Sequence, residues 1–290
     1  MGKNYLLKIL AGILFGFMIS CDNTTSDPVE SGGSGGNGTT PQDSRVLDKI
    51  TVNNAVQEEY ITTNTGILQK ATVKDDNTAG ATLTGALTYT SNKIISNIKF
   101  TGTATGSIAY DFNVILDSNG RVYSTACVAT APTVPNSYIS DFVYTYDATG
   151  KLTKVVEKRK VGGMTTYTVF TQTVLNYVGD NISQAVWSKG VVDGTGAPNM
   201  ATATTNIYNF QNYDMRKSPY STLPKAFFVV WSLIRPQNFY TISPNNPTSM
   251  YFMYPSPTPA VSIPKSYMYD SQSYPTSDQT QTVKYTYKTL

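Results

Sequence analysis

The stretch FVYTYDATGKLTKVVEKR, residues 142–159, decides the fold. Side chains alternate up to Tyr146, small polar residues interrupt the alternation at Asp147-Ala-Thr-Gly150, and hydrophobic residues resume at Leu152. Alternation with a period of two is typical of a β-strand whose two faces differ. An aspartate that opens a tight turn can accept hydrogen bonds from backbone amides, and a glycine supplies the positive φ that a bulged hairpin needs. The stretch therefore predicts two strands joined by a tight turn.

The same hairpin plan recurs at intervals of roughly thirty residues. Asp117-Ser-Asn-Gly120 stands one interval earlier and Gly179-Asp-Asn181 one interval later, and weaker copies lie near residues 87–96 and at the C-terminus. Hairpins that follow one another along a chain usually pack as neighbouring strands. We therefore expect an all-β fold, an antiparallel hairpin meander that forms a curved sheet or a partly open barrel.

The composition agrees with one β-rich domain. The chain has 290 residues, of which 40% are hydrophobic, with 21 tyrosines and no histidine. Aromatic and β-branched residues fit the half-buried surface of a sheet better than a helix. The formal net charge of +3 is too small to create a field that attracts polyanions, so no nucleic-acid partner is expected.

The residue types that most hydrolytic enzymes need are missing. Without histidine the usual serine and cysteine triads cannot be assembled, and zinc sites lose their main nitrogen ligand. Cys127 is predicted to be a small buried hydrophobe and not a nucleophile. Glu157 is predicted to lie among lysines on a solvated strand. The adjacent carboxylates Glu58–Glu59 and Asp75–Asp76 do not have the arrangement that glycoside hydrolysis requires, which leaves only a pair of aspartates distant in the chain. We expect no enzymatic activity, no metal and no cofactor.

The N-terminal segment has the pattern of an export signal. Lys3 and Lys8 precede an apolar run, residues 9–19, that is shorter than the roughly 20 residues of a membrane-spanning helix. The tetrapeptide MISC, which ends at Cys21, resembles the lipobox of bacterial lipoproteins, in which the cysteine is lipidated and becomes the first mature residue. We expect residues 1–20 to be a lipoprotein signal peptide; an ordinary secretory leader with an incidental cysteine is the alternative.

The next segment, residues 21–44, has the composition of a flexible tether. Residues 21–44 contain Cys21 and then a run rich in Gly, Ser, Thr, Asn and Pro that has almost no apolar side chain to bury. Such a composition predicts a flexible linker. Residues 45–290 would then form a single monomeric β-meander domain. The lipid would hold this domain at the outer membrane, on either the periplasmic or the extracellular side.

The hairpin at residues 142–159 also carries a resemblance. Its residues Tyr144, Tyr146, Asp147, Gly150 and Leu152 form a pattern that resembles the YD repeat of Rhs-type proteins. With the lipobox and linker, the chain resembles a family of Bacteroidota lipoproteins that have no assigned activity. YD-like hairpins in that family build an open, porin-like β-meander, similar in shape to the lipoprotein carriers of the Lol system. The resemblance implies an envelope lipoprotein with a curved sheet.

One segment, residues 221–249, departs from the strand pattern. Thr222 as a cap and Pro224 in a first turn predict a short helix near residues 222–235, although the run FFVVW permits a buried strand instead. Its large side chains suit two roles: they can present an apolar ligand surface on the concave face of the sheet, or they can simply close the core. These side chains are Phe227, Phe228, Trp231 and Leu233.

Two functions fit these features. The first is binding of an apolar ligand or lipid on the concave face of the sheet. The second is a cell-surface interaction module that binds glycan or an outer-membrane receptor through exposed aromatic side chains. The strand aromatics considered for these roles are Tyr144, Tyr146, Tyr177 and Trp187. The apolar insert favours the first function.

Overall fold

The computed structural model describes residues 45–75 and 80–290. The predicted signal peptide, Cys21 and the linker up to residue 44 lie outside the described residues. All the described residues belong to one compact unit, whose bounds are Ser34–Leu290. The sheet and the hydrophobic core described below belong to this unit, so we expect it to fold on its own.

The described residues form a single antiparallel sheet of seventeen strands, as the hairpin repeat predicts. The strands are β1 (Arg45–Val52), β2 (Ala55–Thr62), β3 (Leu68–Lys74), β4 (Thr82–Tyr89), β5 (Ile95–Gly102), β6 (Ala109–Leu116), β7 (Val122–Thr130), β8 (Tyr138–Tyr146), β9 (Leu152–Val161), β10 (Val169–Val178), β11 (Asn181–Val191), β12 (Thr204–Tyr213), β13 (Pro247–Met253), β14 (Val261–Pro264), β15 (Met268–Tyr269), β16 (Pro275–Ser277) and β17 (Val283–Thr289).

Strand pairing follows the chain order. Consecutive strands pair from β1 to β14 and from β15 to β17, and β17 pairs with β1. Within the described part of the chain no ladder joins β14 to β15. These two short strands are therefore the edges of the sheet, which curves without closing.

The two ends of the sheet differ in their connections. One end carries tight turns opened by aspartates, at residues 117–121, 147–151 and 270–274, and we refer to it as the Asp-turn end. The opposite end carries mostly longer connections, such as residues 131–137 and 162–168, and we refer to it as the long-loop end.

The predicted hairpin at Asp147 is confirmed. Asp147 Oδ1 accepts hydrogen bonds from the backbone amides of Thr149 at 2.8 Å and Lys151 at 2.9 Å. Gly150 has a φ of 82°, which is the left-handed region that glycine adopts without strain. A register shift between Thr145 and Tyr146 records the bulge. The side chain and backbone of one aspartate thus define the turn.

Tyrosine hydroxyls connect one hairpin to the next at the Asp-turn end. A tyrosine near the end of one strand donates to the carbonyl oxygen at or near the start of the strand before it, at 2.8 Å in the Tyr146–Val122 case. The side chain therefore joins the first strand of one hairpin to the second strand of the hairpin before it. The same bond recurs around the sheet from Tyr89 to Leu68, Tyr146 to Val122, Tyr177 to Leu152, Tyr213 to Ile182 and Tyr287 to Pro275.

The segment between β12 and β13 fills the inside of the curve. It contains helix α1 (Lys225–Ile234), which confirms the predicted helix, so the alternative of a buried strand at this place is wrong. Turns of 3₁₀ helix at Pro219–Thr222 and Pro236–Ile242 flank α1. A buried helix covers the apolar face that an open sheet would otherwise expose. No helix among the described residues has the length and apolar character needed to cross a bilayer.

Thr222 does not cap α1, contrary to the sequence prediction. The residue at the cap position is Pro224, which has no side-chain oxygen for the helix amides. Thr222 Oγ1 instead accepts from the amide of Leu47 at 2.9 Å and donates to the carbonyl of Pro219. The threonine therefore ties the insert to β1, and the helix is stabilised by the burial of its apolar side chains.

Loss of one tyrosine hydroxyl should weaken the sheet measurably. We expect Tyr146→Phe to lower the free energy of unfolding of Ser34–Leu290 by about 1 kcal/mol in urea titrations, because the Val122 carbonyl loses its partner. Tyr123→Phe is the control, since Tyr123 is 67% exposed on the neighbouring strand. An equal loss in both variants would contradict a structural role for the Tyr146 hydroxyl.

Candidate functional site

Three of the four predicted ligand-binding residues of the helix belong to the core. Phe227, Phe228 and Trp231 are at most 6% exposed. The ring centroid of Trp231 lies 5.4 Å from that of Phe100 on β5, and the Phe227 and Phe228 rings meet edge to face at 5.2 Å. These contacts are those of tightly packed aromatic side chains. The helix therefore closes the core, which is the second role that its sequence allowed.

The remaining predicted helix residue, Leu233, has a different environment. Leu233 is half-buried near the end of α1 and lines a cavity of about 140 Å³ on the inner face of the sheet. Trp187 on β11, also predicted from the sequence, lines the same cavity. We call this space the inner cavity; its apolar lining includes Phe112, Phe142, Trp187, Leu233 and Ile234.

The three predicted tyrosines do not form a binding surface. Tyr144, Tyr146 and Tyr177 are half-buried against the core, and each hydroxyl is in a hydrogen bond, with Thr125 Oγ1 and with the carbonyls of Val122 and Leu152 respectively. Burial raises the pKa of Tyr146 to about 12 and raises those of Tyr144 and Tyr177 further. These hydroxyls are therefore structural donors that stay protonated.

A second space adjoins the inner cavity. It measures about 360 Å³ and opens at the long-loop end, where Pro135 and Asn136 contribute to its wall, and we call it the outer cavity. The two cavities share the side chains of Ile108, Tyr138 and Arg159. Arg159 therefore stands at the boundary between them.

Arg159 is held by one carboxylate and one aromatic ring. Its Nη2 donates to Glu157 Oε2 at 2.7 Å, and its guanidinium carbon lies 4.4 Å from the centroid of the Tyr138 ring. Among the described residues its Nε has no hydrogen-bond acceptor although it is buried. Burial alone would lower the pKa of Arg159, but the Glu157 carboxylate outweighs burial and raises it. The guanidinium is therefore cationic and incompletely paired.

Glu157 is not on a solvated face, so that prediction is wrong. The residue is 3% exposed and points to the inside of the sheet. Its Oε2 accepts a second hydrogen bond, at 2.8 Å, from Thr171 Oγ1 on β10. On β9 the inward side chains are Val155, Glu157, Arg159 and Val161, so alternation counted from buried Val155 could have identified both charged residues.

The outer cavity carries a second cation. Lys189 on β11 lines it and is exposed, and no carboxylate of the described residues forms an ion pair with its ammonium group. The rest of the wall includes aliphatic side chains such as Val161 and Val169. The recess thus combines an apolar lining with two cationic groups and one carboxylate. The described residues contain no cluster of three or more potential metal ligands.

Cys127 lies where the sequence predicts, in the interior. It is 1% exposed on β7 and contributes to the wall of the inner cavity. Burial, with a smaller contribution from the Glu157 carboxylate, raises the pKa of its thiol to about 12. The thiol is therefore protonated at neutral pH and a poor nucleophile.

Comparison with known proteins gives a likeness of shape only. No family model matches the sequence and no curated protein matches it significantly. Among solved structures, a porin-like protein from Bacteroides vulgatus ATCC 8482 aligns with 84% of this chain and 99% of its own, at 8% identity and a TM-score of 0.47. A porin-like protein from Bacteroides uniformis ATCC 8492 aligns with 84% of this chain and 97% of its own, at 15% identity and a TM-score of 0.46. At this level the likeness does not extend to function.

The thiol of Cys127 should be unreactive in the folded protein. We expect no reaction of folded Ser34–Leu290 with a chromogenic disulfide reagent at pH 8, because both burial and a pKa of about 12 suppress the thiolate. One equivalent should react after unfolding in urea, since Cys127 is the only cysteine in that unit. Rapid reaction of the native protein would show that the inner cavity admits the reagent to an activated thiol.

Proposed function

We propose that this protein is a non-enzymatic lipoprotein of the bacterial cell envelope that binds an apolar ligand on the inner face of its sheet. The observation that carries the proposal is the pair of adjoining cavities next to the end of α1. Small-molecule sites are typically concave, apolar in most of their lining and provided with a few polar groups, with volumes of about 300–1,000 Å³. The outer cavity, at about 360 Å³, falls within that range before the inner cavity is added.

The position of the helix supports a site at this place. α1 fills the inside of the curve up to Trp231, and Leu233, Ile234 and Pro236 then line the inner cavity. An ion pair at 3.1 Å between Arg235 and Asp75 fixes this end of the helix to the residue that follows β3. The wall of the recess is therefore formed by side chains that are held in place, which lowers the cost of binding.

The alternative role, recognition of glycan or a receptor through exposed aromatic rings, has less support. Three of the four side chains it relies on have hydroxyls that bond to neighbouring strands. The fourth, Trp187, lines the inner cavity. The absence of histidine from the sequence and the protonated thiol of Cys127 support a role in binding and not in catalysis.

Attachment to the membrane is proposed through Cys21. We expect wild-type protein to incorporate radiolabelled palmitate and to sediment with the membranes, and Cys21→Ser to do neither, because the thioether to the lipid cannot form. Cys127→Ser is the matched control and should keep the label. Label retained by Cys21→Ser, or lost by Cys127→Ser, would refute the anchor.

A larger side chain at position 233 should fill the inner cavity and block ligand binding. We expect Ser34–Leu290 to bind the neutral fluorescent probe N-phenyl-1-naphthylamine saturably, and Leu233→Trp to weaken binding at least about tenfold, since the larger ring occupies the space. Native mass spectrometry of the purified unit should also detect co-purifying lipid.

The control for this experiment is Val143→Trp, which adds the same ring at a side chain that is 64% exposed. Urea titrations of both variants check that the fold is retained. The proposal fails if the wild-type unit shows no saturable binding, or if both variants bind the probe as tightly as the wild type.

A further inference from the structure

We propose that the recess takes an amphipathic ligand whose anionic head group binds at Arg159 and whose apolar tail enters the inner cavity. This inference rests on the proposed function and adds the chemical class of the ligand. It starts from the contrast between the two cavities. Among the described residues, the wall of the outer cavity has two cations, Arg159 and Lys189, and no carboxylate. The inner cavity is lined mostly by aromatic and aliphatic side chains, and its two charged groups, Glu157 and Arg159, pair with each other.

Arg159 has unused hydrogen-bonding capacity. A guanidinium has five N–H donors, and Glu157 is contacted through Nη2 alone. The side chain is 18% exposed, and it borders both cavities, so part of the group faces the recess. Nε is buried without an acceptor among the described residues. An anionic group beside Arg159 would supply acceptors in a partly desolvated place, where charge-assisted hydrogen bonds are strong.

Glu157 forms an ion pair with Arg159 but leaves other N–H donors of the guanidinium free. The carboxylate is oriented by Thr171 as well as by Arg159, so it is fixed in one position. Arg159 and Glu157 together are neutral, and Lys189 at the mouth then leaves the recess with a net positive charge. A cationic head group would be repelled by this arrangement, a neutral one would gain at most a hydrogen bond, and an anionic head group would also gain electrostatic attraction.

The size of the inner cavity limits the tail. Its volume of about 140 Å³ is similar to that of an engineered apolar cavity of about 150 Å³ that holds benzene. The inner cavity therefore accommodates a short apolar segment, and the rest of the ligand must lie in the outer cavity. Medium-chain acids meet both requirements, so octanoate and octyl phosphate are suitable anionic probes. 1-Octanol and octyltrimethylammonium carry a chain of the same length and serve as the neutral and cationic comparisons.

The test is competition with N-phenyl-1-naphthylamine on Ser34–Leu290. We expect octanoate or octyl phosphate to displace the probe at a concentration at least about tenfold lower than 1-octanol does, because only the anions add ion pairing to the hydrogen bond with Arg159. Octyltrimethylammonium should be weaker than 1-octanol. A preference for octyl phosphate over octanoate would identify a phosphate head group, and the reverse a carboxylate; either result supports the inference.

Three variants separate binding from folding. Glu157→Gln/Arg159→Gln removes both charges together, so it leaves no unpaired buried ion, and it should reduce the preference for anions to the smaller contribution of Lys189 while keeping the affinity for 1-octanol. Glu157→Gln alone should strengthen anion binding, because the competing carboxylate is gone. Lys189→Met should weaken anion binding by a smaller factor that diminishes at high salt, as expected of a group near the surface.

The outcomes distinguish this inference from the proposed function. If 1-octanol and octanoate displace the probe equally well from the wild type, or if the double variant keeps the full anion preference of the wild type, the inference is overturned and the apolar site stands. If the probe does not bind the wild-type unit at all, the proposed function itself fails. An increase in anion binding by Glu157→Gln supports the inference, because an ion pair that serves the fold alone would not produce it.

Discussion

The structure depends on the need to cover the inner face of a wide, curved sheet. A sheet of seventeen strands that curves without closing has a large apolar face, and no second sheet is present in the described residues to pack against it. The segment between β12 and β13 meets this need with α1, whose side chains at 227, 228 and 231 meet aromatic residues of β5 and β2. Because one short helix cannot cover the whole face, the cover ends near Leu233. The recess begins there.

Successive hairpins are linked at the Asp-turn end. Two of the tyrosines that bond to the preceding strand also present their rings to a cation from the preceding hairpin: the guanidinium of Arg121 lies 4.7 Å from the centre of the Tyr146 ring, and Lys151 Nζ lies 5.6 Å from that of Tyr177. Arg121 is in turn paired with Asp117, the residue that opens its own turn. A turn residue, a cation and a tyrosine therefore link successive hairpins. The outer cavity opens at the opposite end, beside Arg159.

The sequence predicted the elements that depend on local patterns. The hairpins around Asp117 and Asp147 follow from alternation and from turn chemistry, which involve residues close together in the chain. The short helix follows from proline positions and from the lack of a breaker. The prediction of Glu157 as solvated was wrong because three nearby lysines dominate the local composition, while the face of a side chain depends on register with β8 and β10. The tyrosine bonds join residues from different hairpins, so no local pattern contains them.

The Glu157–Arg159 pair is the part of the interior that stability does not explain. Burying two charges costs several kcal/mol for each ion, and well-packed apolar residues of similar volume are often as stable or more stable. Here the pair lies on a face whose other members, such as Phe112 and Phe142, are aromatic. The pair also leaves Nε of Arg159 without an acceptor among the described residues, so the fold does not make full use of the guanidinium it buries. The cation lies beside a recess that reaches the surface. Binding of an anionic ligand in that recess explains why the cation is kept at this cost better than the packing around it does.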